Sequence, residues 1–559
     1  MKPHFLGMIL VFLSWNAGSQ EMNEKEKQLE TFIAKHVSQI ESLQTDANQA
    51  YWDASTTGKA EYYENLSRLQ HAIRTIYGRT NEFEFIKGLK ESGQIRDARL
   101  RRQLDQLYLF YLQNQFQPEL LKELVDLDTH IQKINNTFRG EMEGKKVTNS
   151  EIYSIMTTET DSRKREAAWR ASKQVGEVIA NDLIRLVKLR NQAAQQLGFS
   201  DYHSLSIMVG EQKVKELDQI FHELDVYTRE PFIRLKEELD HILAEQFEIS
   251  PAELKPWHYH DPFFQRTPLV YELDLDEYYN PVDVKAIAEQ FFAGVGLPVD
   301  DILAKSDLYD REGKFPHAFS HDMNRRGDVR ILCNLNNDER WMETILHELG
   351  HALYSKYHDR DEPYLFREPA HSFTTEAVAM FFGRLSRTEA WMQPMLKLSD
   401  EQREKIERVA WKYTQFQQLL FARWAMVMYY FEKQLYANPD QDLNSLWWDM
   451  VETYQQVKRP PGSLAGHWAA KFHFTIAPCY YHNYMLGELL ASQLHHHIEE
   501  QVLKLESDQE VSFVGQKQVG EFLRETIFAP GARFHWNEMI MRATGEPLTT
   551  KYFIRQFVK

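Results

Sequence analysis

The chain has 559 residues, 43% of them apolar, 26% charged and 13% aromatic, which excludes disordered and collagen-like classes and leaves ample material for a large folded core. Its 65 Lys and Arg against 82 Asp and Glu give a net charge of −17, which opposes a nucleic acid lying over a broad surface and favours peptides or small molecules as partners. Only two cysteines occur, Cys333 and Cys479, so a disulfide framework and a Cys-rich zinc module are excluded, and any zinc must be held by His and carboxylates.

At the start of the chain, Met1-Lys2-Pro3-His4 precedes an apolar run from Phe5 to Trp15 and small residues at Ala17-Gly18-Ser19, the pattern of a signal peptide over 1–19. The run is too short to span a bilayer and no other window approaches a span, which predicts an exported chain, secreted or periplasmic, without stable membrane insertion. Residues 20–559 carry no internal repeat and no low-complexity linker, and read as a single catalytic domain. Apolar residues at three- and four-residue spacing, such as Leu29, Phe32, Ile33, Val37 and Ile40, predict helix, as do 97–114, 118–138, 162–197, 214–246 and 400–435. One stretch, 327–335, is short, rich in branched apolar residues and bounded by turn formers, as a strand would be. The expected class is mostly α with a small sheet.

Chemistry enters at His347-Glu348-Leu349-Gly350-His351, an H-E-x-x-H string for which a chain of this composition yields about 0.07 accidental matches. Its surroundings, 343–357, hold no proline and place Ile345, Leu346, Leu349 and Leu353 at helical spacing, so both histidines fall on one face a turn apart. Two imidazoles so placed can share one zinc, while Glu348 reaches the water on the open side. A catalytic site of this kind takes its third ligand from a carboxylate, and the candidates are Glu362, Glu368 and Glu376. The first two neighbour prolines in a polar connection. Glu376 sits in the apolar segment 372–382, where an isolated carboxylate needs a reason, and is the expected ligand; the alternative reading of Glu376 is a helix N-terminal acid favoured by the macrodipole.

Further islands accompany the motif. His317-Ala318-Phe319-Ser320-His321-Asp322 is similar to H-A-x-A-W-D and Asp328-Val329-Arg330-Ile331 to D-F-R-I. Trp447-Trp448 with Tyr454-Gln455-Gln456-Val457 and Pro460-Pro461 matches a W-W…Y-Q-G-V-x-P-P pattern, and Ala470-Lys471-Phe472-His473 reads A-K-F-H. Spread over 25–495, these islands resemble the angiotensin-converting-enzyme-like peptidyl-dipeptidases, zinc peptidases of the gluzincin type. The resemblance implies two helical halves around a deep central cleft, with the small sheet beside the zinc helix, one zinc per chain, oligopeptide substrates and release of C-terminal dipeptides. It implies that His347, His351 and Glu376 bind the metal and that Glu348 is the base. His473 and Tyr484 would donate to the oxyanion, Lys471 and Tyr481 would hold the substrate's C-terminal carboxylate, and His317 with the Ala318 backbone would fix the peptide at the cleaved bond.

Departures from the pattern qualify what transfers. Met380 stands where the family has an Asp that orients a ligand, so another group must do so. The family's two chloride-binding arginines fall at Val451 and Asn483, and chloride is not expected as a cofactor. In Pro256-Trp257-His258-Tyr259, Tyr259 replaces a Gln of the carboxylate pocket and is expected to serve in its place. Tyr481 and Tyr484, followed by Met485-Leu486-Gly487-Glu488, also look like thimet-type oligopeptidases, which makes an oligoendopeptidase acting on short peptides the nearest rival. A non-catalytic, zinc-stabilised peptide-binding protein on the same scaffold predicts a lost base or lost donors, whereas Glu348, His473 and Tyr484 are all present. Elsewhere, His495-His496-His497 reads as a solvated helix face, His258 and His260 as parts of a substrate wall, and Cys333 could bridge Cys479 in an exported chain. Oligomeric state leaves no signal in the sequence.

Overall fold

Long apolar-striped segments become helices where caps delimit them. Asn23 opens Glu24–Thr57 by accepting from the Lys25 and Glu26 N–H groups while Glu26 reaches back to the Asn23 N–H at 2.9 Å, and Gly58 closes it at φ 68°. The predicted segments appear as Ala98–Leu112, Pro118–Thr137, Ser162–Gln196, Val214–Gln246 and Asp400–Ala437, started by Asp97, by Pro118 itself, by Asp161 and by the Ser399–Gln402 capping box among others. This computed structural model describes residues 22–268, 270, 274–505 and 511–558, so the segment read as a signal peptide lies outside the described residues. The fold is mostly α, 69% helical, with two small sheets among the described residues. The predicted strand forms as Val329–Leu332, antiparallel to Phe319–Asp322 with Phe319 opposite Leu332 and Asp322 opposite Val329. A second hairpin, Gly140–Met142 with Lys145–Val147, had no clear period-two signal.

The two largest apolar clusters among the described residues organise the helices. Leu29, Ile33, Ile86, Leu104, Leu107 and Tyr111 gather the N-terminal helices, while a larger core runs from Leu120 to Phe557 and encloses the helices Glu339–Lys356, Ser372–Gly383, Asp400–Ala437 and His482–His497. Two glycines let three of these helices cross closely. A Cβ on Gly350 would stand 2.8 Å from the Ala379 Cα, and one on Gly487 would meet the Glu376 Cβ and the Met380 Sδ at 3.2 Å.

The structure revises the incidental histidines and cysteines. His258 and His260 are buried rather than lining a wall: His258 Nε2 lies 2.8 Å from Ser162 Oγ, and its Nδ1 accepts from the Lys255 N–H at 2.8 Å. His495 and His496 are half-buried, not solvated, because both turn toward Glu499, with nitrogen to oxygen distances of 2.9 and 3.3 Å. Cys333 and Cys479 are buried and free, so no bridge joins them.

Candidate metal centre and active site

Asp338 caps the Glu339–Lys356 helix through the Trp341 N–H at 2.8 Å, and two turns on this helix presents His347 and His351 together. Their Nε2 atoms are 3.2 Å apart, and Glu376 Oε2, from the neighbouring Ser372–Gly383 helix, lies 3.8 Å from each. Two nitrogens about 2.0–2.1 Å from one tetrahedral ion would stand about 3.3 Å apart, so the imidazoles already have the spacing of shared ligands. His351 Nδ1 is 2.7 Å from Thr375 Oγ1, which can accept from Nδ1–H in the tautomer that leaves the Nε2 lone pair facing the group. Thr375 therefore fills the orienting position that Met380 left open. The sequence signal was a hydroxyl next to the ligand carboxylate, but a hydroxyl in a helix's first turn reads equally well as a cap.

The other two acidic candidates are engaged elsewhere. Glu362 pairs with Arg99 at 2.6 Å and with Arg533 at 3.2 Å, and Glu368 pairs with Arg325. Burial lowers His347 to about 4 and His351 further still, while it pushes Glu376 up to about 7 and Glu348 up to about 8, the latter helped by the nearby Glu376 charge. Neutral imidazoles beside buried carboxylates make a site short of positive charge. That donor set fits a divalent cation of the zinc type, which would offset the burial of the acids. The Ser320 N–H donates to the Glu348 carboxylate, so the strand Phe319–Asp322 runs beside the base. Ala318 is half-buried just ahead of this strand, and His317 is exposed with its ring 5.4 Å from that of Phe315.

Across the site lies the stretch 471–484. The His473 ring centroid is 4.9 Å from that of Tyr481 and 6.5 Å from that of Tyr484. Burial, with the Glu376 charge second, pushes the Tyr484 phenol up to about 12, so it stays protonated at neutral pH; burial also lowers His473 to about 3 and keeps it neutral. The Tyr481 hydroxyl accepts from Trp424 Nε1 at 2.7 Å. Lys471 is buried with its ammonium 5.1 to 5.5 Å from the ring centres of Trp424, Phe263 and Tyr481, and it donates to Gln265 Oε1 at 2.7 Å. Tyr259 does not join this group, which corrects the sequence expectation: its hydroxyl is held by Lys236 Nζ at 2.8 Å and donates to Asp240 at 3.0 Å. Gln265, six residues further on, occupies the place proposed for Tyr259, because the backbone turns at His260 and Phe264, both at positive φ. Asn483, one of the two positions without an arginine, accepts from Gln212 Nε2 at 2.8 Å.

Comparison with known proteins agrees with this geometry. The sequence pattern of the peptidase family described as angiotensin-converting enzyme matches residues 23–241 and 261–558. The thermostable carboxypeptidase 1 of Pyrococcus furiosus is 25% identical over 265 residues, covering 43% of this chain and 51% of that enzyme, so the match spans about half the length of that curated relative.

Proposed function

The chain belongs to the angiotensin-converting enzyme family and is a metallopeptidase, and on that premise we propose that it uses one zinc per chain to release dipeptides from the C-termini of oligopeptides. The observation that carries the dipeptide reading is Lys471, a buried ammonium with no carboxylate in ion-pair contact among the described residues. A buried cation that Asp261 offsets only through space, without ion-pair contact, suits a carboxylate brought by a ligand. The Tyr481 ring centre lies 5.5 Å from Lys471 Nζ and 5.3 Å from the Tyr484 ring centre, a separation on the scale of two extended residues of about 3.3 Å each between a terminal carboxylate and the reacting carbonyl.

His347, His351 and Glu376 would hold the zinc, which when bound supplies Lewis-acid polarisation of the carbonyl and a water acidic enough to react near neutral pH. Glu348, raised in basicity by burial, takes the proton of the attacking water and delivers it to the leaving amine. Tyr484 and a ring N–H of neutral His473 donate to the oxyanion, where each such donor contributes about 2.7–4 kcal/mol in other hydrolases. His317 and the Ala318 backbone would receive the peptide alongside the strand Phe319–Asp322, and Lys471, Gln265 and Tyr481 would receive its carboxylate. Export to a secreted or periplasmic location, and a single catalytic unit over 20–559, belong to the same proposal and rest on the apolar N-terminal run.

The test is digestion of a free-carboxylate oligopeptide and its C-terminally amidated twin, with product masses. Dipeptides from the free acid alone are expected. Equal internal cleavage of both peptides would favour the thimet-like oligoendopeptidase, and release of single residues would favour the mode named for the Pyrococcus relative. Peptide binding without cleavage by the zinc-loaded protein would leave a non-catalytic peptide binder.

A further inference from the structure

The stretch that carries His473 and leads into the Tyr484 helix, His482–His497, has little regular structure of its own. Its only helix is the four-residue His473–Ile476, and Cys479, a non-glycine residue, sits at φ 55°. A left-handed cysteine persists only where its surroundings over-determine it. Two buried ionisable side chains that the proposed reaction does not use provide that determination. From Ser162–Gln196, Arg190 spans the carbonyls of Phe474 and Thr475 with Nη1 and Nη2 at 2.9 and 2.8 Å, groups that the end of so short a helix leaves unpaired. From Asp400–Ala437, Glu432 accepts the Cys479 N–H at 2.8 Å. Arg190 is itself held by Tyr436 at 3.1 Å and Asp128 at 3.2 Å.

We propose that Arg190 and Glu432 are positioning residues: by gripping the backbone at 474–475 and at 479 they set the aim of His473 toward the helix-borne Tyr484 without touching substrate or zinc. Trp424 and Glu432, eight residues apart on one helix, bind Tyr481 and Cys479, so the same helix fixes the middle of the stretch at two points. Without the Glu432 acceptor, Cys479 can relax to negative φ, which shifts the segment behind His473 and turns its ring away from Tyr484, whose helix stays packed against Glu376 at Gly487. Oxyanion stabilisation would then suffer, while Lys471 and Gln265, which precede the gripped segment, and Tyr481, which Trp424 holds independently, would bind the substrate as before.

Since the grip is an acceptor on an N–H, Glu432→Gln should keep it and Glu432→Leu should not. The inference rests on the peptidase reading, and the experiment separates the two. Steady-state kinetics on one oligopeptide, with zinc content and melting temperature of each variant, are expected to give kcat at least about 30-fold lower for Glu432→Leu, KM within about threefold of wild type, and Glu432→Gln within about threefold in both. Arg190→Lys, which keeps the charge but cannot span two carbonyls, should lower kcat about tenfold with KM held, and it decides the question if Glu432→Leu does not fold. A folded Glu432→Leu with wild-type kcat, a loss expressed in KM, or equal losses in the Leu and Gln variants would overturn the inference. A wild-type protein that cleaves no peptide would overturn the reading beneath it instead.

Discussion

His347, Glu348 and His351 ride on one regular helix and Glu376 on the next, their spacing set by helical rise and by a crossing that Gly350 allows. Facing them, Lys471, His473 and Tyr481 follow an irregular path into the Tyr484 helix, held by Arg190, Glu432, Trp424 and Gln212, residues from three other parts of the chain. On the first side the spacing within each helix is local, and a single close helix crossing joins the two. The second depends on buried polar contacts with residues 47 to 285 positions away in the chain, and it is there that the proposed reaction recognises substrate and meets transition-state charge. Damage to the first side should therefore remove chemistry, and damage to the second should split cleanly between rate and binding.

The largest effect tests the helical side. Glu348→Gln should lower kcat by about 10³-fold while zinc analysis still finds one metal per chain, because the base is lost and the ligands remain. Retained turnover would end the assignment of Glu348. Across the site, Tyr484→Phe should cost about 10²-fold in kcat with little change in KM, since its hydroxyl meets charge that exists only in the transition state; a change confined to KM would make Tyr484 a packing residue. Thr375→Val tests how the helical side is supported: loss of the His351 Nδ1 partner should weaken zinc binding at least about tenfold in a chelator competition, and undiminished affinity would show that the helix alone orients the ring.

Smaller effects probe the binding half. Burial lowers the Lys471 ammonium to about 8, so its charged, carboxylate-binding form predominates below that pH and is lost above it. KM should therefore rise about tenfold from pH 7 to pH 9, and Lys471→Arg should flatten the rise, because a guanidinium keeps its charge. A flat wild-type profile would remove Lys471 from carboxylate recognition. Smallest of all, exchange of chloride for acetate at constant ionic strength should change rates less than about twofold, because Val451 is apolar and Asn483 is paired with neutral Gln212. A saturable activation of about tenfold by chloride would reveal a cationic anion site elsewhere on this side.

Much of the helical half was legible without coordinates. The 3.6-residue period and the capping residues set the long helices, the strand at 329–332 stood out between turn formers, and Glu376 was singled out as a carboxylate inside an apolar helix. These signals are local, carried by residues within a few turns of one another, so sequence alone determined them. The other half was legible only as a set of residue types. Tyr259 looked like the pocket residue because it stood nearest the expected position, but Lys236 and Asp240 claim its hydroxyl, and two left-handed turns deliver Gln265 to Lys471 instead. Thr375, Arg190 and Glu432 carried no distinguishing pattern, and neither did the burial of His258 or the approach of His495 and His496 to Glu499. Each of these depends on which distant segment packs against which. Tertiary structure alone decided them, because a buried polar group is placed by the partner that satisfies it, and that partner lies at no fixed distance along the chain.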